Sequence, residues 1–388
     1  MAEPTNTPVP ASTPRSTSPV LPQFPAHQAL LPLSPLRASR SEPKLRVLHI
    51  GEPIRYNPQT YSHFSAQFDV VRPEASERGR AEFIQALKEK RWGEFHAIFR
   101  PFWGSGGEMG RWDAELIDLL PPTVKVFASA GAGFDWADTE LLGKRGIVYC
   151  NSGLAAAEAV ADFAVAMIIS TFRHLPWCMA SATSGDAAEF QTCHDQATAQ
   201  SHNLRGHVLG LIALGNVGQQ IAARCYHGFG MNIHYHDIER KAEDVERGLS
   251  ATYHPTMESL IRASDCVVLC APAGQGSFIH ADSLRWFRPG ARFVNVARGI
   301  LVEDDALVDA LERNQLSTVA LDVHENEPNV HERLRYFASQ GRAMLTCHNA
   351  GGTVETHRGF EELSMRNIMA VLNGGQAITP VNMQHLRK

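Results

Sequence analysis

The sequence predicts an α/β protein of two parallel-sheet domains behind a disordered N-terminal tail. Three observations carry this expectation. Strand-like apolar runs alternate with helical segments in two separate series, 388 residues with 44% hydrophobic side chains suffice for two cores, and residues 1–43 show no amphipathic period.

The tail is rich in Pro, Ser and Thr and cannot bury enough apolar surface to offset the entropy of ordering. Its run L-P-Q-F-P-A-H-Q-A-L-L-P-L is broken by prolines and has no basic flank, which argues against a secretory signal. Glu3 and the prolines likewise oppose a basic transit helix built on Arg15, Arg37 and Arg40. Forty-one acidic and thirty-six basic residues give a formal charge of -5 with no long basic run, so nucleic acid is excluded as the main partner. The seven cysteines form no C-x-x-C pair, and several sit in apolar runs such as C-V-V-L-C, which fits a reducing, cytoplasmic setting.

The first series reads L-R-V-L-H-I, F-D-V-V, H-A-I-F-R, V-K-V-F-A-S-A and I-V-Y-C-N, with helical segments such as A-E-F-I-Q-A-L-K-E-K between the strands. A long apolar helix from about Leu154 to His174 follows. It contains Glu158 and Asp162 and is rich in Ala, so burial in protein is expected and no membrane association. The polar stretch S-G-D-A-A-E-F-Q-T-C-H-D-Q-A-T-A-Q-S-H-N reads as irregular. Six strands then recur: H-V-L-G-L-I-A-L, N-I-H-Y-H-D, C-V-V-L-C-A-P, R-F-V-N-V-A-R, T-V-A-L-D-V and A-M-L-T-C-H. A last helix, about Glu355 to Leu372, can carry the chain back to the first domain. The expected division is 44–153 plus 350–388 for one domain and 154–349 for the other.

In the second series the first strand runs into A-L-G-N-V-G-Q-Q-I-A-A-R, with Gly215 and Gly218 at the second and third positions of G-x-G-x-x-G and Ala213 at the first. Gly215 lets the backbone approach a pyrophosphate, Asn216 and Val217 offer helix N-terminal N–H groups, and Gly218 permits close helix packing. A tight structural turn would look the same locally. The order strand, turn, helix, strand, acid decides for a dinucleotide, because Asp237 stands nineteen residues past Gly218 at a strand end. A carboxylate there accepts from ribose hydroxyls and repels a 2′-phosphate, which favours NAD; Arg240 nearby could soften that choice.

Arg298 stands at the end of a later strand, in V-N-V-A-R-G-I-L-V-E-D-D-A-L. Leu321–Pro328, L-D-V-H-E-N-E-P, follows the next strand, and His348 ends the last one in T-C-H-N-A-G-G-T. A lone Arg or His is most often a surface group. A cation, acids and an imidazole at successive strand ends face one crevice, where open α/β sheets bind ligands.

These motifs, with A-G-A-G-F-D-W-A-D and L-R-G-H-V-L-G-L-I-A-L-G-N-V-G, resemble the D-isomer-specific 2-hydroxyacid dehydrogenase family from about Val47 to the C-terminus. A-G-A-G-F-D-W and R-G-H-V-L-G are most similar to its fungal D-mandelate dehydrogenases. The resemblance implies two Rossmann-like domains, a flavodoxin-like substrate domain and a doubly wound NAD-binding domain. It places Arg298, Glu327 and His348 on the family's catalytic Arg, acid and His. Asp322 matches the acid that contacts the nicotinamide carboxamide, and Pro272, Ala297 and Gly351 join the cofactor set. The loop A-P-A-G-Q-G-S around Pro272 is shorter than the family's P-L-T-x-x-T form. Ala132 and Gly133 would offer N–H groups to the substrate carboxylate, with Phe102 and Trp103 lining the pocket, whereas Phe134 and Trp136 read more simply as core.

The implied chemistry is consistent. Arg298 can bind the carboxylate of a 2-keto acid and polarise its carbonyl, while His348, paired with Glu327, exchanges the proton. Glu327 departs from the neutral amide that formate dehydrogenases, close relatives, carry there. His324 and Glu325 match no essential position and are assigned to structure or solvent. A metal shared by His324, His331 and His348 is not expected, since the family needs none. The expected activity is therefore NAD-dependent interconversion of small 2-keto and D-2-hydroxy acids, on a bulky or aromatic substrate such as phenylglyoxylate, by a homodimer. The alternatives are a glyoxylate or hydroxypyruvate reductase, or an NAD-sensing corepressor-like protein.

Overall fold

A computed structural model describes residues 43–101, 105–273 and 276–386. The expected disorder of residues 1–43 therefore concerns, except for Pro43, residues outside the described ones. Five parallel strands form the first sheet: β1 Arg46–His49, β2 Asp69–Val71, β3 Ala97–Arg100, β4 Val126–Ser129 and β5 Val148–Cys150. Their order, β2-β1-β3-β4-β5, is that of a flavodoxin-like doubly wound sheet. The strands are apolar runs because helices cover both faces. Helix Arg80–Lys88, for example, buries Phe83, Ala86 and Leu87 at helical spacing.

The second sheet is also parallel: β6 Val208–Ile212, β7 Asn232–His236, β8 Thr252–Tyr253, β9 Cys266–Leu269, β10 Ala291–Asn295, β11 Leu316–Leu321 and β12 Ala343–Leu345. Its order, β12-β11-β10-β9-β6-β7-β8, reverses direction between β6 and β9, the point at which such sheets bind dinucleotides. It has seven strands rather than the six expected. The addition is β8, a two-residue edge too short to leave an apolar run in the sequence.

Helix Gly153–Arg173 is long and apolar enough to cross a bilayer by composition. It instead lays Ala157, Ala161, Ala164 and Ile168 against protein, and its end docks on the second sheet, where Arg292 lies 4.1 Å over the Phe172 ring and Thr318 donates to the Thr171 carbonyl (3.0 Å). The stretch expected to be irregular, 184–203, is mostly helix, Ala187–Gln200, and follows directly on a further helix, Leu175–Thr183. Asp186 caps helix Ala187–Gln200 by accepting from Ala188 N–H (2.7 Å), and this helix buries Cys193 and Ala197. So few buried side chains leave almost no apolar period to read.

Helix Val354–Leu372 returns to the first sheet and packs on β3 and β4. Its buried Glu361 accepts from the N–H groups of Arg55 (2.8 Å), Tyr56 (2.9 Å) and Asn57 (3.0 Å), so a carboxylate sits at the N-terminus of helix Pro58–Gln67. Further on, the fully buried Asn382 accepts from Tyr149 N–H (2.9 Å) and donates to the carbonyls of Thr139 (2.9 Å) and Ile147 (3.0 Å). Asn382→Ala strands those three backbone groups and is expected to lower unfolding free energy by about 2–4 kcal/mol in urea titration. A loss below about 0.5 kcal/mol would show that water satisfies them instead.

Candidate active site

The turn after β6 is held in shape by one strained residue. Ala213 has φ 78°, a left-handed conformation that costs an alanine roughly 1–2 kcal/mol. It keeps a backbone shape that glycine adopts freely. Its N–H donates to the His236 carbonyl (2.8 Å), which fixes the turn beside β7. Gly218 is required sterically, since a Cβ there would stand 2.5 Å from the Ala213 carbonyl oxygen. Gly215, the N-cap of helix Asn216–Ala223, has open space where a Cβ would project. That is room for a phosphate against the N–H groups of Asn216 and Val217.

Asp237 follows β7 directly. Its carboxylate accepts from Leu214 N–H (2.9 Å) and pairs with Lys241 (2.9 Å). Burial opposes its ionisation, yet the Lys241 ammonium and the Leu214 N–H hold its carboxyl below the usual carboxylate range. Open space at Gly215, a helix N-terminus and an ionised acid at the strand end fit a dinucleotide. Arg240 is paired with Glu246 rather than with anything in this crevice.

Three strand ends bring the other candidates together. Asn295, Leu321 and Leu345 stand in register across β10, β11 and β12. Arg298 and His348 each lie three residues beyond that row, two strand spacings apart, roughly 10 Å. Arg298 Nη1 donates to the Ala297 carbonyl (2.7 Å) and Nε to Asp135 Oδ1 (3.2 Å). Its guanidinium lies on Gly133: a Cβ there would fall 1.4 Å from Nη2. The A-G-A-G turn beyond β4 and the strand end beyond β10 thus meet, and Asn151 Nδ2 holds the turn by donating to the Ala132 carbonyl (2.8 Å).

His348 Nδ1 lies 2.8 Å from Glu327 Oε2, and Glu327 Oε1 accepts from His324 N–H (2.9 Å). His348 itself has φ 52°. Asp322 imposes that conformation. Its carbonyl accepts His348 N–H (2.7 Å), and its buried carboxylate accepts Asn349 N–H (2.9 Å), Ala350 N–H (2.9 Å) and the Thr346 hydroxyl (2.7 Å). The residue expected to face a cofactor thus also folds the loop that carries the histidine.

Pro272 follows β9, Ala297 follows β10, and Gly351 lies past β12 beside Ala156 and Val160, all at the same edge of the sheet. Phe102 and Trp103 lie outside the described residues. Phe134 and Trp136 pack against the core of the first sheet. Glu325 accepts from Asp304 N–H (3.2 Å), His324 Nε2 lies 2.8 Å from the Thr346 carbonyl, and His331 pairs with Asp305 (3.1 Å). With His348 on Glu327, the three imidazoles are engaged separately.

Sequence reasoning missed Asp135 and Arg100. Asp135 stands within A-G-A-G-F-D-W and could have been read as a partner for a cation. Arg100, a charge ending an apolar strand, is buried, donates to the carbonyl of Gly106 (2.9 Å) and to Ser129 Oγ (3.1 Å), and stacks 4.6 Å over Trp136.

Residues 165–350 match the model of the D-isomer specific 2-hydroxyacid dehydrogenase, NAD binding domain. A glyoxylate reductase of Thermococcus onnurineus is 34% identical over 71% of this chain and 81% of its own length. A 4-methyl-2-oxopentanoate reductase of Aspergillus oryzae is 30% identical over 79% and 89%. The holo form of Rhodotorula graminis D-mandelate dehydrogenase superposes with a TM-score of 0.84 at 37% identity, covering 88% of this chain and 98% of that one.

Asp322→Ala removes the acceptor for the Asn349 and Ala350 amides. Those two amides are expected to lose hydrogen-exchange protection while the amides of β6 keep theirs. Unchanged protection at 349 and 350 would show that the loop holds itself.

Proposed function

The chain belongs to the D-isomer specific 2-hydroxyacid dehydrogenase family, an oxidoreductase with that family's NAD-binding domain, and from that premise we propose that it interconverts a bulky or aromatic 2-keto acid and the D-2-hydroxy acid. The observation that carries this reading is the junction at Arg298, whose guanidinium rests on the Gly133 turn of one sheet, at the same strand-end edge of the other sheet as the His348–Glu327 pair.

Arg298 binds the substrate carboxylate and polarises the carbonyl oxygen, which gains negative charge during reduction. Asp135 holds Nε and so orients the rest of the planar fork. The Ala132 and Gly133 N–H groups add donors to the carboxylate. Glu327 holds Nδ1 of His348 as the hydrogen-bonded nitrogen, which makes Nε2 the atom that gives its proton to the alkoxide and, in reverse, takes it from the alcohol. When bound at Gly215–Gly218 and Asp237, the cofactor supplies the hydride. Residues 44–153 with 350–388 form the substrate domain and 154–349 the cofactor domain in this reading, and the protein works in the cytoplasm as a homodimer. Similarity to enzymes named for D-mandelate and 4-methyl-2-oxopentanoate supports a bulky substrate, and similarity to glyoxylate reductases supports the smaller one as the second reading.

NADH oxidation with phenylglyoxylate, phenylpyruvate, hydroxypyruvate and glyoxylate tests the proposal. The highest kcat/KM is expected with phenylglyoxylate. A preference for glyoxylate would overturn the substrate size, and tight NADH binding without any turnover would replace the enzyme with a sensor. His348→Ala is expected to lower kcat by about 10²–10⁴ while leaving NADH affinity nearly intact. Gly133→Ala pushes the Arg298 guanidinium aside and should raise the keto-acid KM roughly tenfold or more. Unaltered kinetics in either variant would remove that residue from the mechanism.

A further inference from the structure

Two acids and two cations surround the end of β7, and each cation is engaged by its own acid. Lys241 holds Asp237 at 2.9 Å. Arg240, three residues past Asp237, makes a two-pronged pair with Glu246, Nε to Oε1 and Nη2 to Oε2, both 2.9 Å. Its guanidinium also lies 5.5 Å over the Tyr253 ring. Glu246 is anchored from below, since the buried Tyr235 hydroxyl donates to its Oε1 (2.6 Å) and accepts from Lys241 N–H (2.9 Å). The Arg240 side chain is 63% exposed and that of Glu246 only 11%, so the acid is the fixed member and the arginine the one that can move.

A guanidinium close after the ribose-binding acid is the group a 2′-phosphate needs, because its planar fork takes two phosphate oxygens at once. We infer that Glu246 is a specificity-determining positioning residue, which latches Arg240 over helix Glu243–Leu249 and Tyr253 and so withholds it from a cofactor bearing a 2′-phosphate. Asp237 repels that phosphate, and Glu246 removes the cation that would offset the repulsion. NAD preference is then set by two acids acting together, one facing the ribose and one facing away. The inference rests on the assignment of the Gly215–Asp237 crevice as the dinucleotide site.

Calorimetric titration of NADH and NADPH into the full-length chain tests it without any keto acid, through the ratio of the two dissociation constants. Glu246→Gln keeps an acceptor for the Tyr235 hydroxyl but removes the charge that holds Arg240. Its NADPH-to-NADH ratio of dissociation constants is expected to fall roughly tenfold. Arg240→Ala alone should leave the ratio near the wild-type value, and Arg240→Ala combined with Glu246→Gln should abolish the gain. Adenosine 2′,5′-bisphosphate, titrated in parallel, should tighten in Glu246→Gln, which localises the effect to the 2′-phosphate. An unchanged ratio in Glu246→Gln, or a gain that survives without Arg240, would overturn the latch. So would an equal effect of Arg240→Ala with and without Glu246. Failure of NADH to bind the wild-type chain would instead bring down the cofactor assignment, and the latch with it.

Discussion

Arg298 and the His348–Glu327 pair share one edge of the sheet because β10, β11 and β12 run parallel and in register, and because one buried carboxylate folds the loop beyond them. A parallel sheet puts the C-terminal ends of all its strands on one edge, so side chains distant in sequence arrive at a common crevice. Register alone would leave the β12 loop undetermined. Asp322, 1% exposed, would be costly to bury without partners. It recovers that cost by accepting from Thr346, Asn349 and Ala350, and these hydrogen bonds compel the turn that presents His348.

The C-terminal segment is tied to the first sheet, and the two sheets to each other, by devices of the same kind. Glu361, on the C-terminal helix, gathers three N–H groups at the start of helix Pro58–Gln67, and Asn382 completes the hydrogen bonding at β5. Across the crevice, Arg298 reaches Asp135 and lies on Gly133. In each case a polar group on one segment satisfies backbone or charge on another that it meets only after folding. Position is therefore specified by hydrogen-bond demand as much as by apolar packing.

Most of the fold was legible because it is written locally. The apolar runs of β1, β3, β4, β6, β9, β10 and β11 are long enough to stand out, and the glycine turn followed by Asp237 is a spacing rule. Where the reading failed, the local signal was absent. β8 has two residues, and helix Ala187–Gln200 buries so little that its polar surface read as irregular coil. Ala213 takes the first glycine position of that turn, and nothing local in the sequence shows that it holds the glycine conformation.

By itself, then, the amino-acid sequence determined the strand and helix alternation, the glycine turn after β6 and the residue types at the strand ends, since each depends on neighbours a few positions away. Only the tertiary structure decided which groups those residues engage. Asp135 is 163 positions from Arg298, and Glu361 is 304 from Asn57. Even Arg240 and Glu246, six residues apart, are paired where the Tyr235 hydroxyl fixes Glu246 and the Tyr253 ring lies under Arg240. Contacts of this kind are fixed by the geometry of packed elements, which no short-range pattern of residues encodes.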